Sequence, residues 1–216
     1  MLYVNKDGWI SNPLIIEKHR TTIEHSQIGP INGLVLHRTG TLNADAVLNA
    51  WKTQKEGTHF LVSENGKIFQ TASLKKQCWH VGKIYSRCRE LGSCSEEDAK
   101  AIEEVLHKKN TSWGKRFRLI TRRELKKSYP LRYPHNHDSL GIEVVGVMSE
   151  AKEIYDIPNK LQLTSLFWLI DELISTYKFS LNDIYAHGEI AHKDIKKSEG
   201  AASLKAYYIY KQGQNK

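Results

Sequence analysis

Two histidines that each close an apolar segment are the residues best suited to chemistry in this sequence. His37 ends the run GLVLH, and His187 ends the run DIYAH much further along the chain. Residues at strand ends lie at the rim of a sheet, where side chains from distant segments converge without disturbing the core. A lone histidine in either place would more often be structural, but two imidazoles on rigid strands suit zinc. A catalytic zinc site uses three protein ligands, so a third His, Cys or carboxylate is expected.

The segments that must position these side chains alternate between strand and helix. Strands are predicted in GLVLH, on both sides of the Asn65-Gly66 turn in THFLVSENGKIFQT, in SLGIEVVGV and in DIYAH. Helices are predicted in NADAVLNAWKTQ, which Asn43 can cap, and in NKLQLTSLFWLIDELISTYK. This alternation predicts an α/β fold with a central mixed β-sheet flanked by helices. The length of 216 residues favours a single domain over residues 1–216.

Residues 84–135 differ from the rest, because they are strongly basic and interrupt the alternating pattern. We interpret them as an insertion that decorates the sheet, either as a solvated surface subdomain or as a contact for substrate or partner. The whole chain has 32 Lys and Arg against 24 Asp and Glu, a formal charge of +8. This balance favours an anionic partner such as nucleic acid, a lipid surface or bacterial cell wall, and does not choose among them.

The cellular route is predicted from what the sequence lacks. No apolar run reaches the roughly 18 residues that span a bilayer, and the N-terminus MLYVNKDGWISN does not resemble a signal peptide. We therefore expect a protein made in the cytoplasm, without membrane insertion, whose export would not use a cleaved signal. The three cysteines exclude a full disulfide framework, although Cys88 and Cys94 could form one bridge.

Five ordered motifs resemble those of the zinc-dependent N-acetylmuramoyl-L-alanine amidases, whose fold is shared with peptidoglycan recognition proteins. The resemblance runs from about Gly33 to Gly200, interrupted by the insertion. The matching segments are GLVLHRTG, GTHFLVSENGKIFQ, WHVG, NHDSLGIEVVG and KSEG. Together they are much more specific than any one of them.

The resemblance implies a Zn²⁺ cofactor and a set of residues around it. His37 and His187 would be ligands, and Glu199 would be the third, because Lys197 and Glu199 keep the family's Lys-x-ligand spacing after a loop two residues longer. Glu143 would be the general base, and Lys197 would stabilise the oxyanion. Lys193 takes that role if the loop aligns differently.

Four further residues are predicted to contact substrate: Trp79, His80, Thr58 and His192. Trp79 and His80 could equally pack the sheet edge. His192 is the competitor of Glu199 for the third ligand position, but the family pattern gives it no metal role. Thr58 stands where some relatives have a tyrosine.

The activity implied is cleavage of the amide between N-acetylmuramic acid and the L-alanine of the stem peptide in bacterial peptidoglycan. The competing classes are a peptidoglycan-binding module without activity, a cysteine amidase using Cys88 or Cys94, and, ranked last, a nucleic-acid-binding protein. For the setting we favour an antibacterial effector of a type VI secretion system, because HGE and SEG resemble its motif variant. It would act in the periplasm or wall of a target cell, and its producer would need an immunity protein, for which residues 84–135 are a candidate surface. A phage endolysin or a recycling amidase are the alternatives.

Overall fold

The computed structural model describes residues 1–149, 154–192 and 199–214. The strands found in these residues are Ile15–Glu17 (β1), Glu24–Gln27 (β2), Gly33–Arg38 (β3), Phe60–Val62 (β4), Ile68–Gln70 (β5), Lys76–Cys78 (β6), Ser139–Val144 (β7), Met148–Ser149 (β8), Ile154–Tyr155 (β9) and Ile184–Ala186 (β10). The α-helices are Ala44–Ala50 (α1), Arg87–Glu90 (α2), Glu96–Leu106 (α3), Trp113–Glu124 (α4), Lys160–Tyr177 (α5), His187–Ile190 (α6) and Ala201–Gln214 (α7). Short 3-10 helices lie at Thr21–Ile23 and Leu181–Asp183.

Six of the strands form one mixed sheet in the order β1-β5-β4-β7-β3-β10. Strand β3 is parallel to both β7 and β10, and β4 is parallel to β7 but antiparallel to β5. Strands β2 with β6 and β8 with β9 form two small antiparallel pairs. The predicted α/β class with a central mixed sheet is therefore confirmed.

The two faces of the sheet are covered by different helices. On one face, Leu34 and Leu36 of β3 and Ile142 of β7 belong to a buried cluster with side chains of α5 and α7. On the other face, the side chains of α1 cluster with Leu61 and Phe69, and Val35 belongs to a separate cluster. Because side chains alternate along a strand, His37 lies on the same face as Val35, away from α5 and α7.

Local sequence explains where α5 and the hairpin begin and end. Asn159 and Gln162 form a reciprocal capping box at the start of α5, and Lys178 ends the helix in a left-handed conformation. Strands β4 and β5 pair antiparallel across the predicted Asn65-Gly66 turn, where Gly66 has φ +78°. The helix and the hairpin that the sequence predicted are both present.

Helices α2, α3 and α4 occupy the basic region between β6 and β7. The guanidinium of Arg123 in α4 donates to Asp98 in α3 at 2.9 Å, which links these two helices. The possible bridge between Cys88 and Cys94 is formed and joins α2 to the turn before α3, while Cys78 is a free, buried thiol. Among the helices of the described ranges, none has the length and apolarity to cross a membrane.

Candidate active site

The carboxyl ends of β3 and β7 place a histidine beside a carboxylate. His37 and Glu143 are directly paired across these parallel strands, so their side chains project from the same face of the sheet. His37 is buried, whereas Glu143 is half-buried and lines a cavity above the strand ends. Both residues were predicted from the sequence, and the ladder register is what makes them neighbours.

His187 and Glu199 come to the same place from the other side of β3. His187 is the first residue of α6, directly after β10, and the next backbone N–H, that of Gly188, donates to the carbonyl of Glu199 at 2.9 Å. Gly200 follows with φ +80° and packs against the backbone of Leu36. This tight return of the chain turns the Glu199 side chain toward the two histidines.

His37, His187 and Glu199 form a compact buried cluster. Oε1 of Glu199 lies 3.1 Å from Nδ1 of His37 and 3.1 Å from Nδ1 of His187. One ligand atom from each residue lies within 4.8 Å of the others, and the three side chains are at most 5% exposed. Two imidazoles and one carboxylate are a donor set that zinc uses at catalytic sites, so the residues fit the expected cofactor.

The environment of Glu199 keeps its carboxylate ionised. Burial raises the pKa of this carboxyl group, but hydrogen bonds from His187 and His37 outweigh burial, and the net pKa is lowered. A metal ligand must be in its deprotonated form. The cluster thus supplies an anionic oxygen at neutral pH.

His80 is packed directly against His37. Its Nδ1 lies 3.0 Å from Nε2 of His37, and its Nε2 lies 3.3 Å from the carbonyl oxygen of Ser139. Its own backbone N–H and that of Val81 both donate to the side-chain oxygen of Asn136, at 3.0 and 2.7 Å. Burial, together with the neighbouring histidines, lowers the pKa of His80 well below its ordinary value, so its ring is neutral. His80 therefore orients His37 as well as lining the cavity.

The cavity above the cluster has a volume of about 230 Å³. Besides the three clustered residues, its walls include Glu143, Thr58, Trp79, His80 and Tyr155. Thr58 is buried, and its hydroxyl donates to the carbonyl of Phe60 at 2.8 Å. Trp79 is 43% exposed and stacks on His25 with ring centroids 3.7 Å apart, so it presents an aromatic face at the rim.

Tyr155 is a cavity residue that the sequence reasoning missed. It lies on β9 and is 5% exposed. Burial, reinforced by the negative charges of Glu199 and Glu143, raises the pKa of this phenol above its ordinary value, so it keeps its proton. The next residue, Asp156, accepts a hydrogen bond from Nε of Arg38 at 2.9 Å. Arg38 directly follows His37, and this ion pair anchors β9 beside the site; no motif marked the tyrosine in the sequence.

His192 lies in an aromatic cluster instead of the cavity wall. Its ring stacks on Phe117 of α4 with centroids 3.4 Å apart, and its centroid lies 3.9 Å from that of Tyr85. Burial, with smaller contributions from Lys83 and Arg89, lowers the pKa of His192 to about 3. Its backbone N–H donates to the carbonyl of Lys83 at 2.6 Å. The structure therefore brings together all the predicted site residues it describes except His192.

Lys197 and its alternative Lys193, the predicted oxyanion-stabilising residues, lie outside the described residues. The roles assigned to the other site residues stay predictions as well, although their positions converge on one cavity. His37, Glu143 and His187 converge because β7, β3 and β10 are neighbours in the sheet.

The fold and the family of the chain are established by comparison with known proteins. The catalytic domain of XlyA matches with 17% identity and a TM-score of 0.53, over 92% of this chain and 97% of that one. A mutant endolysin from Bacillus subtilis matches with 18% identity, the same TM-score and the same coverage. At these identities the two structures show a shared fold. No curated protein sequence gives a significant match.

The mixed sheet carries a buried polar cluster beside the ends of its strands, and the sequence assigns the family. Residues 27–201 match the family model Amidase_2, N-acetylmuramoyl-L-alanine amidase. The chain belongs to this family, and the enzyme class predicted from the sequence is confirmed.

Proposed function

We propose that the protein is a zinc-dependent peptidoglycan hydrolase that cleaves the amide between N-acetylmuramic acid and the L-alanine of the stem peptide. The observation that carries the proposal is the buried cluster of His37, His187 and Glu199, set in a chain of the amidase family. We take residues 1–216 as one amidase domain with an insertion at residues 84–135.

The three clustered residues would hold Zn²⁺, with His80 fixing the ring of His37 from behind. When bound, zinc supplies a Lewis acid that activates water and polarises the scissile carbonyl. Glu143 faces the same cavity, and its carboxylate would accept a proton from the attacking water and then deliver it to the leaving amine. The phenol of Tyr155, which keeps its proton, lies on another wall of the same cavity.

Substrate would be bound by the rim and walls of this cavity. Trp79 offers an exposed aromatic face against which the muramyl peptide can pack, and Thr58 and His80 line the floor. His192 is enclosed by Tyr85 and Phe117. It would therefore affect substrate binding only indirectly, by keeping its own segment of the chain in place. The proposed role of Lys197, stabilising the oxyanion, is supported by the family resemblance.

For the biological setting we favour an antibacterial effector of a type VI secretion system that acts on the wall of a target cell. The bridge between Cys88 and Cys94 supports action outside the reducing cytoplasm, since disulfides persist in oxidising compartments such as the periplasm. An immunity protein would protect the producing cell. A phage endolysin or a recycling amidase would use the same chemistry.

The proposal is tested by digesting purified peptidoglycan sacculi with the wild type, Glu199→Ala and the exposed-carboxylate control Glu17→Ala. Products are analysed by mass spectrometry, and bound zinc by elemental analysis. We expect free stem peptides from the wild type and the control, and the joint loss of zinc and activity in Glu199→Ala. If Glu199→Ala stays active and retains zinc, another residue must be the third ligand. Binding to sacculi without cleavage by zinc-loaded wild type would favour a recognition module.

A further inference from the structure

A row of exposed cations runs along one side of α4. Lys115, Arg118 and Arg122 lie on the helix, and Lys126 continues the row in the turn that follows. Their spacing of three, four and four residues places them on one face, over a length of about 16 Å. All four side chains are exposed, while the opposite side of α4 buries Ile120. We refer to these four residues as the basic row.

Two cations at and just after the end of α4 have counter-ions on α3. Arg123 and Lys127 face α3, where Asp98 lies 2.9 Å from the Arg123 guanidinium and 3.3 Å from Nζ of Lys127. Lys127 also pairs with the buried Glu124 at 2.8 Å. Within the part of the chain that the structure describes, no member of the basic row forms an ion pair. Among the described residues, Asp98 and Glu124 therefore neutralise the cations that face α3, and the basic row points away from them.

Helix α4, which carries the basic row, packs against the segment that follows His187. Phe117, on the same helix, stacks on His192, which follows His187 by only five residues. Ile84, at the start of the insertion, forms a β-bridge with Ala191. Because α4 is anchored through Phe117, the basic row has a fixed position relative to the buried cluster, on the side of the helix away from Phe117.

We propose that the basic row binds the carboxylates of peptidoglycan stem peptides and so holds the enzyme on the intact wall. This inference rests on the proposed function, because it takes peptidoglycan as the substrate. Stem peptides carry carboxylates at regular intervals on the polymer that bears the scissile amide, so several can contact a row of this length at once. Lysine and arginine form charge-assisted hydrogen bonds with carboxylates. A single stem peptide carries too few carboxylates to pair with all four cations at once, so we expect small soluble fragments to gain little from the row.

The test compares two variants with the same change in formal charge. The row variant carries Lys115→Gln, Arg118→Gln, Arg122→Gln and Lys126→Gln. The control variant carries glutamine at four exposed lysines outside α4: Lys6, Lys18, Lys160 and Lys205. Each set of substitutions is combined with Glu143→Gln in the full, zinc-loaded chain, and the Glu143→Gln chain alone is the parent. Binding to sacculi is measured by sedimentation. All eight positions are exposed, so both variants should fold, which circular dichroism checks.

We expect the row variant to bind sacculi about 30-fold more weakly than its parent, from four exposed ion pairs of modest strength. The control should stay within about threefold, and the difference should shrink in high salt because exposed charges are screened. Row and control variants made with Glu143 intact should cleave a soluble muropeptide at the wild-type rate. Equal binding by row variant and parent would overturn the inference.

Chemically treated sacculi identify the anion. Amidating the wall carboxylates should abolish the difference in binding between the parent and the row variant. Removing attached phosphate polymers with acid should leave that difference unchanged. The reverse pattern would overturn the inference in favour of a phosphate polymer. Absence of muropeptide cleavage by the wild type would refute the proposed activity while leaving the binding comparison valid, so the two failures are distinguishable.

Discussion

Gly200→Ala tests whether the tight return of the chain after α6 sets the position of Glu199. Gly200 has φ +80°, which costs a residue with a Cβ about 1–2 kcal/mol. The added Cβ would also overlap the carbonyl oxygen of Leu36 and lie 2.8 Å from its carbonyl carbon. Relieving such an overlap costs about 1–3 kcal/mol more, because the obstacle is the backbone of a central strand. We expect a loss of about 2–5 kcal/mol in the free energy of unfolding.

The matched control is Gly40→Ala. Gly40 has φ +74° but no atom within 4 Å of the place that an added methyl group would occupy, so it carries the backbone cost without the overlap. For a chain of this size, thermal melts should show Tm lower by about 10 °C for Gly200→Ala and about 3 °C for Gly40→Ala. Zinc affinity, measured by competition with a chelator, should fall at least about tenfold in Gly200→Ala alone, because Glu199 must move. Equal melting temperatures and unchanged zinc affinity in the two variants would refute the reasoning.

Four further outcomes are expected. Glu143→Gln should lower kcat about 100-fold or more with zinc content unchanged, as measured on sacculi, because only the proton acceptor is lost. Phe117→Ala should weaken zinc binding in chelator competition, whereas Phe117→Tyr, which keeps the stacked ring, should not. Burial lowers the pKa of His59 to about 4. Between about pH 6.5 and 4, the unfolded chain therefore binds a proton at His59 and the folded chain does not. Denaturant titrations should show stability falling from pH 6.5 to 4, by up to about 3 kcal/mol from this group, and a flatter profile in His59→Gln. Replacing Cys88 and Cys94 by serine should lower the free energy of unfolding by about 2 kcal/mol. Adding reductant should cause the same loss in the wild type and no further loss in the serine variant.

The parts of the site that lie on strands were predictable from the sequence. His37 ends one strongly apolar run and Glu143 interrupts another, and the alternation of such runs fixes both the strand and the face on which its polar residue lies. Glu199 was predicted from weaker evidence, namely the spacing of a lysine, a carboxylate and a glycine in the family motif. The structure supports that choice, because Gly200 provides the turn that brings Glu199 to the histidines.

The parts of the site that depend on contacts between irregular segments were not predictable. Tyr155 follows no motif, and it reaches the cavity because Asp156 pairs with Arg38 from a distant strand. His192 was expected to contact substrate, but its environment is set by how α4 packs on the chain after α6. Neither contact leaves a periodic signal, since each joins residues far apart in sequence through side-chain geometry alone.

The register between β3 and β7 connects the stability of the core to the geometry of the site. Leu36 pairs with Ile142 in the cluster beneath α5, and the next pair along the ladder is His37 with Glu143. A slip of one residue would turn the apolar side chains of one strand toward the opposite face, at a cost of roughly 1.5–3 kcal/mol for each large side chain exposed. The apolar alternation that buries Leu34, Leu36 and Ile142 therefore also holds His37 and Glu143 side by side. The alignment of Glu143 with His37 therefore needs no separate device, because the hydrophobic core already enforces it.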